Sequence, residues 1–115
     1  MFMSHLKLPA DCTTKADIRT AIDTIDEELI QIFAKRQGYV RRMAELKQHP
    51  DEAFDGERIE TMVAAIKKRA EDLGLEGDQA ENVWRVLIDW NVAYEQRTIA
   101  ARLAASDVKA PGPAG

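Results

Sequence analysis

The sequence has few of the residues that build disulfides, metal clusters or membrane spans. It contains one cysteine, Cys12, and two histidines, His5 and His49, among 115 residues. This excludes an internal disulfide framework and a clustered zinc site. No segment approaches the roughly 18 uncharged apolar residues of a transmembrane helix. We therefore expect a cytoplasmic protein that neither binds a metal nor enters a membrane.

The sequence has fewer basic than acidic residues and lacks the common catalytic signature motifs. Sixteen Lys+Arg against twenty Asp+Glu give a formal net charge of -4, which opposes non-specific binding of nucleic acid. The basic residues at positions 35, 36, 41 and 42 are accordingly interpreted as a solvated, ion-paired face rather than a nucleic-acid site. There is no glycine-rich phosphate loop, GxSxG or HExxH motif. Any chemistry must therefore rest on binding and electrostatics.

Glycine and proline are few and clustered, and they divide the chain into three helical stretches. Apolar residues recur at steps of three and four over 14–48, again up to Gly74, and again to about Leu103, without any alternating strand pattern. Asp55 and Asp78 are candidate N-caps of the second and third helices. The predicted fold is all-α: a flexible segment 1–13, a helical domain 14–103 and a disordered tail 104–115.

The first helix is too long for a compact monomer. A helix over 14–48 is about 50 Å long, whereas a domain of this size is only roughly 35 Å across. Its apolar stripe would extend beyond the two shorter helices, and a second copy could cover it. We therefore predict an intertwined, antiparallel homodimer of three-helix protomers.

Polar residues interrupt the apolar stripes at four positions. Arg36 and Lys47 lie within about 20° of each other on the first helix and roughly 16 Å apart, so both can reach one small anion. Asn91 and Glu95 interrupt the third helix four residues apart, and buried polar groups need partners. Ion pairing within the protein is the alternative explanation for the charged residues.

Arg19 is separated from the other two cations on the same helix. It lies about 25 Å from Arg36 and about 42 Å from Lys47 along the axis, farther than a small metabolite spans. If Arg19 binds the same ligand, it must come from another subunit. Otherwise Arg19 is an ordinary surface arginine. Glu57, at the start of the predicted second helix, could likewise be an ordinary acid favoured by the helix dipole in the first turn.

Three segments carry a specific pattern: ADIRTAIDTIDEELIQIFAKRQGYVRRMAELK, GERIETMV and WRVLIDWNVAYEQR. Over about residues 9–103 they resemble the all-helical chorismate mutase family and its isochorismate-pyruvate lyase branch. The family's two arginines and its lysine eleven residues later fall on Arg19, Arg36 and Lys47, and its second-helix glutamate falls on Glu57. The chain departs from the pattern at Glu95, where these enzymes commonly have glutamine.

A second departure is Gly56, which stands where many mutases carry an arginine. The short loop before it, together with the PADC opening, looks closer to the lyase branch.

The resemblance implies a homodimer whose sites need no cofactor. Arg19 from the partner subunit and Arg36 would clamp the two carboxylates of the substrate. Lys47 and a protonated Glu95 would donate to the ether oxygen, where negative charge develops as the C–O bond breaks. Glu57 would accept from the ring hydroxyl, and Asn91 is a further substrate-binding candidate.

The resemblance leaves three functions open. Chorismate mutase, which converts chorismate to prephenate by a Claisen rearrangement, is the leading prediction. Isochorismate-pyruvate lyase, which yields salicylate and pyruvate, is the close alternative because it uses the same residues. From a different class, the chain could be a non-catalytic helical dimer that binds a regulator or another protein.

Overall fold

The computed structural model describes residues 6–109, and three long α-helices make up most of them. The helices are α1 (Lys15–Leu46), α2 (Gly56–Asp72) and α3 (Gly77–Lys109), with short 3-10 turns at Pro9–Asp11 and Pro50–Ala53. No strand occurs in this part of the chain. The predicted all-α class and three-helix pattern are confirmed.

Local capping chemistry sets both ends of α2. The side chain of Asp55 accepts a hydrogen bond from the Arg58 backbone N–H at 3.1 Å, which confirms Asp55 as the N-cap. At the other end Gly74 has a φ of +82°, a conformation that disfavours residues with a Cβ. This turn lets the Leu75 N–H reach the Ala70 carbonyl at 2.8 Å, so the helix ends as the glycine predicts.

The two ends of α3 differ from the prediction. The helix begins at Gly77, so Asp78 lies inside the first turn, where its carboxylate accepts from the Gln79 N–H at 3.0 Å. The predicted N-cap role of Asp78 is therefore wrong. The helix continues to Lys109, so residues 104–109 are helical rather than disordered. Alanine-rich sequence without glycine or proline before position 111 favours this extension. Residues 110–115 lie outside the described range.

The chain divides into two compact units between Tyr39 and Val40, and the first contains the start of α1. The Thr14 hydroxyl accepts from the Asp17 N–H, and Asp17 accepts from the Thr13 N–H, both at 3.0 Å. The hydrogen bond from Thr13 and the ion pair with Lys7 at 3.2 Å hold the pKa of Asp17 at about 2. The predicted flexible segment 1–13 therefore includes an anchored part, while residues 1–5 lie outside the described range.

The apolar stripe of α1 in this first unit is only partly covered within one chain. Its large aliphatic side chains are between 36% and 57% exposed: Ile18, Ile22, Ile25, Leu29 and Ile32. Scattered single apolar residues are normal on a surface, but a continuous stripe at helical spacing is typical of an interaction face.

The second unit contains the end of α1, the second 3-10 turn, α2 and α3. Arg85 on α3 donates to both carboxylate oxygens of Glu60 on α2 at 2.9 Å and to Glu81 at 2.9 Å. The hydrogen bonds from Arg85 lower the pKa of Glu60, and the two carboxylates raise that of Arg85. The buried apolar residues of this unit are Ala44, Ala53, Val63, Ala70, Ala80, Ile88 and Ile99. Most are small, so the helices can pack closely.

Glu52 organises the turn that joins α1 to α2. Its carboxylate accepts from the backbone N–H groups of Gln48 at 2.9 Å and His49 at 2.8 Å. Ala53 in the same turn is buried, and the turn packs against α3. The segment directly after α1 is therefore held in place by the Glu52 side chain and by packing against α3.

Candidate active site

Lys47 and Glu95 form an ion pair within the second unit. The Lys47 N–H donates to the Met43 carbonyl at 3.0 Å, so its main chain continues the helical pattern one residue past Leu46. The Lys47 Nζ donates to Glu95 Oε1 at 2.7 Å, and the two side chains are only 21% and 10% exposed. Partly buried charges of this kind are costly unless paired. The structure thus brings together two residues that interrupt different apolar stripes.

Asn91 lies one helical turn before Glu95 on α3. Its side chain is buried, with the residue 5% exposed, and neither its Oδ1 nor its Nδ2 has a hydrogen-bond partner among the described residues. An unpaired buried amide costs roughly 1–3 kcal/mol. Because positions four apart share a helix face, the amide lies on the same side of α3 as the ion pair. This amide is suited to hydrogen bond with a polar group of a ligand.

Arg102, which the sequence analysis did not single out, contacts the segment that carries Lys47. Its Nη1 donates to the Ala44 carbonyl at 2.7 Å and to the Glu45 carbonyl at 3.3 Å, and its Nη2 donates to the Lys47 carbonyl. The signal that could have identified Arg102 in the sequence is its position three residues after Ile99, which places a cation on the buried face of α3.

The other three predicted residues are placed without partners in the described chain. Glu57 is exposed in the first turn of α2. Arg36, half-buried, and Arg19, exposed, lie on the part of α1 that belongs to the first unit. None of the three forms an ion pair or side-chain hydrogen bond within residues 6–109.

Metal-binding clusters and membrane-spanning helices are both absent from the described residues. No group of three or more histidine, cysteine or acidic side chains is arranged to hold a metal ion across residues 6–109. Within the same range, no helix carries an apolar stretch long enough to cross a lipid bilayer.

Comparison with known proteins identifies the family. Residues 18–96 match the chorismate mutase type II family. The chain is 34% identical over 90 residues to isochorismate pyruvate lyase of Pseudomonas aeruginosa, an overlap of 78% of this chain and 89% of the lyase. It is 37% identical over 82 residues to the T-protein of Haemophilus influenzae, covering 70% of this chain but 22% of that protein. With most of its helical region matched, the chain belongs to the chorismate mutase type II family.

Proposed function

We propose that the protein is a chorismate mutase, which converts chorismate to prephenate by a Claisen rearrangement without a cofactor. The observation that supports this most is the partly buried Lys47–Glu95 pair, with the unpartnered Asn91 amide on the same face of α3. A cation and a hydrogen-bonding amide are the groups needed to bind an anionic substrate whose ether oxygen gains negative charge. Membership of the family supplies the substrate class.

Lys47 is the proposed donor to the ether oxygen. An ammonium group has three N–H donors, and the contact with Glu95 Oε1 uses one of them. The remaining donors can bind the oxygen as the C–O bond breaks, an interaction that strengthens in the transition state. Glu95 orients the ammonium by accepting this hydrogen bond.

The two arginines are proposed to hold the substrate carboxylates. Arg36 would bind one carboxylate, and Arg19 of the partner subunit would bind the other, so that the enolpyruvyl arm stays over the ring. Glu57 would accept a hydrogen bond from the ring hydroxyl. This arrangement requires a homodimer, and the half-exposed aliphatic stripe of α1 is the surface that a second copy would cover.

Replacing Asn91 with leucine is expected to lower activity without lowering stability. Because the buried amide has no partner in the described chain, a leucine of similar size removes a desolvation cost, and the unfolding midpoint should stay equal or rise. The loss of one hydrogen bond to substrate should lower kcat/KM by about tenfold. Enzyme kinetics and thermal unfolding of the same preparation measure both effects.

Asn82 is exposed on the same helix and provides the matched control. Asn82→Leu should leave kcat/KM unchanged. If Asn91→Leu instead lowered the unfolding midpoint and spared kcat/KM, the amide would have a structural partner and no role in binding.

Isochorismate-pyruvate lyase is the second candidate, because the similarity to the Pseudomonas aeruginosa lyase covers 89% of that protein's length. The deciding experiment supplies chorismate and isochorismate separately and measures prephenate and salicylate. Prephenate formation as the faster reaction supports the mutase, and faster salicylate formation supports the lyase. Turnover of neither substrate, with a regulator or another protein still bound, would indicate the non-catalytic helical dimer.

A further inference from the structure

The last turns of α3 carry a guanidinium group that binds the C-terminal end of α1. The final carbonyl groups of an α-helix have no partners within the helix, and they form the negative end of its dipole. Arg102 donates to three carbonyls in this region, those of Ala44, Glu45 and Lys47. A planar, permanently charged fork is well suited to bind several neighbouring carbonyl oxygens at once.

This contact and the ion pair at Lys47 come from the same face of α3. Arg102 follows Glu95 by seven residues, which is two helical turns, or about 10 Å along the axis. Glu95 binds the side-chain ammonium of Lys47, and Arg102 binds its main-chain carbonyl. Both the side chain and the main chain of Lys47 are therefore held by α3, although Lys47 lies beyond the last residue of α1.

We propose that Arg102 is a positioning residue for Lys47, an inference that rests on the proposed function of Lys47. Without the guanidinium, the segment from Ala44 to Lys47 would lose the three main-chain hydrogen bonds that tie it to α3, and the ammonium would move relative to the substrate. A displacement of a catalytic group by even one ångström can cost a large factor in rate. Arg102 lies on α3 beyond residues 18–96, the range that matches the family.

Arg102→Ala provides the main test, with two readouts. In hydrogen–deuterium exchange, peptides covering residues 44–48 should exchange faster, while those covering α2 remain as protected as in the unaltered protein. In steady-state kinetics, kcat should fall by about tenfold or more, whereas KM should change by less than about twofold. Free guanidinium, at concentrations far below those that unfold proteins, should partly restore kcat.

Arg102→Lys and Arg42→Ala complete the design. Lysine keeps the charge but cannot bind the carbonyls as a planar fork, so the kcat of Arg102→Lys should lie between those of the unaltered protein and Arg102→Ala. Arg102→Lys also serves as the test if the alanine variant does not fold. Arg42 forms an exposed pair with Glu45 near the same helix end, so Arg42→Ala should leave kcat and local exchange unchanged.

Two results would overturn the inference. One is an Arg102→Ala protein with unchanged kcat and unchanged exchange at 44–48, and the other is faster exchange throughout α2 and α3, which would make Arg102 a general stabiliser. Failure of the proposed function looks different, since the unaltered protein would then turn over neither chorismate nor isochorismate. In that case the local exchange result still decides whether Arg102 anchors the segment.

Discussion

Replacing Lys47 with alanine is expected to lower kcat by a hundredfold or more while the protein stays folded. Removing one donor aimed at a developing oxyanion typically costs about 3 kcal/mol of transition-state stabilisation. The structure adds a second consequence, because the Glu95 carboxylate would lose the cation that lies 2.7 Å away in a partly buried site. Turnover and unfolding must therefore be measured together.

The double variant Lys47→Ala, Glu95→Gln separates these two effects. Neutralising Glu95 removes the unpaired carboxylate, so the unfolding midpoint should recover toward that of the unaltered protein, while kcat remains low. Lys68 forms an exposed pair with Asp72, and Lys68→Ala is the matched control that should retain full turnover. Near-normal turnover in Lys47→Ala would remove this residue from the proposed mechanism.

Arg36→Lys is expected to lower kcat/KM by about tenfold to a hundredfold even though it preserves the charge. An ammonium cannot reproduce the two parallel hydrogen bonds of a guanidinium to a carboxylate. Hydrogen bonds to charged groups are worth about 1.5–3 kcal/mol each, which sets the size of the expected loss. The measurement is steady-state kinetics with both substrates.

Arg41 provides the control for this substitution, since it is exposed and lies on the same helix. Arg41→Lys should be neutral, which would show that the loss at position 36 is specific. An Arg36→Lys protein with full activity would mean that Arg36 has a structural role and binds no carboxylate.

Helix positions could be predicted because local chemistry determines them. Hydrophobic periodicity places α1 within two residues of its ends, Asp55 caps α2, and Gly74 terminates it. The prediction fails where local signals compete: an acid near a helix start can cap the helix or lie in its first turn, as Asp78 does. The helical residues 104–109 show the same ambiguity, since alanine-rich sequence favours a helix even where few apolar residues are available to bury.

For the candidate site, the sequence could predict which helix face each residue lies on, but not which groups that residue contacts. Periodicity identifies Lys47 and Glu95 as polar interruptions of apolar stripes, and the structure brings them into contact. Periodicity places Arg102 on the buried face of α3 but cannot identify what the cation binds, because its acceptors are main-chain carbonyls 55 to 58 positions earlier in the chain. The proposed roles of Arg19, Arg36 and Glu57 depend on contacts with a substrate and a second subunit, which the periodicity of one chain does not describe.

We propose that each site combines Arg19 from one subunit with Arg36 and Lys47 from the other. Co-expressing Arg19→Ala and Lys47→Ala chains with different affinity tags allows the heterodimer to be isolated. Its two defects fall in one site and leave the other intact, so the heterodimer should show about half the turnover of the unaltered dimer, although each variant homodimer is inactive. A heterodimer as inactive as its parents, or a monomeric protein, would contradict the claim.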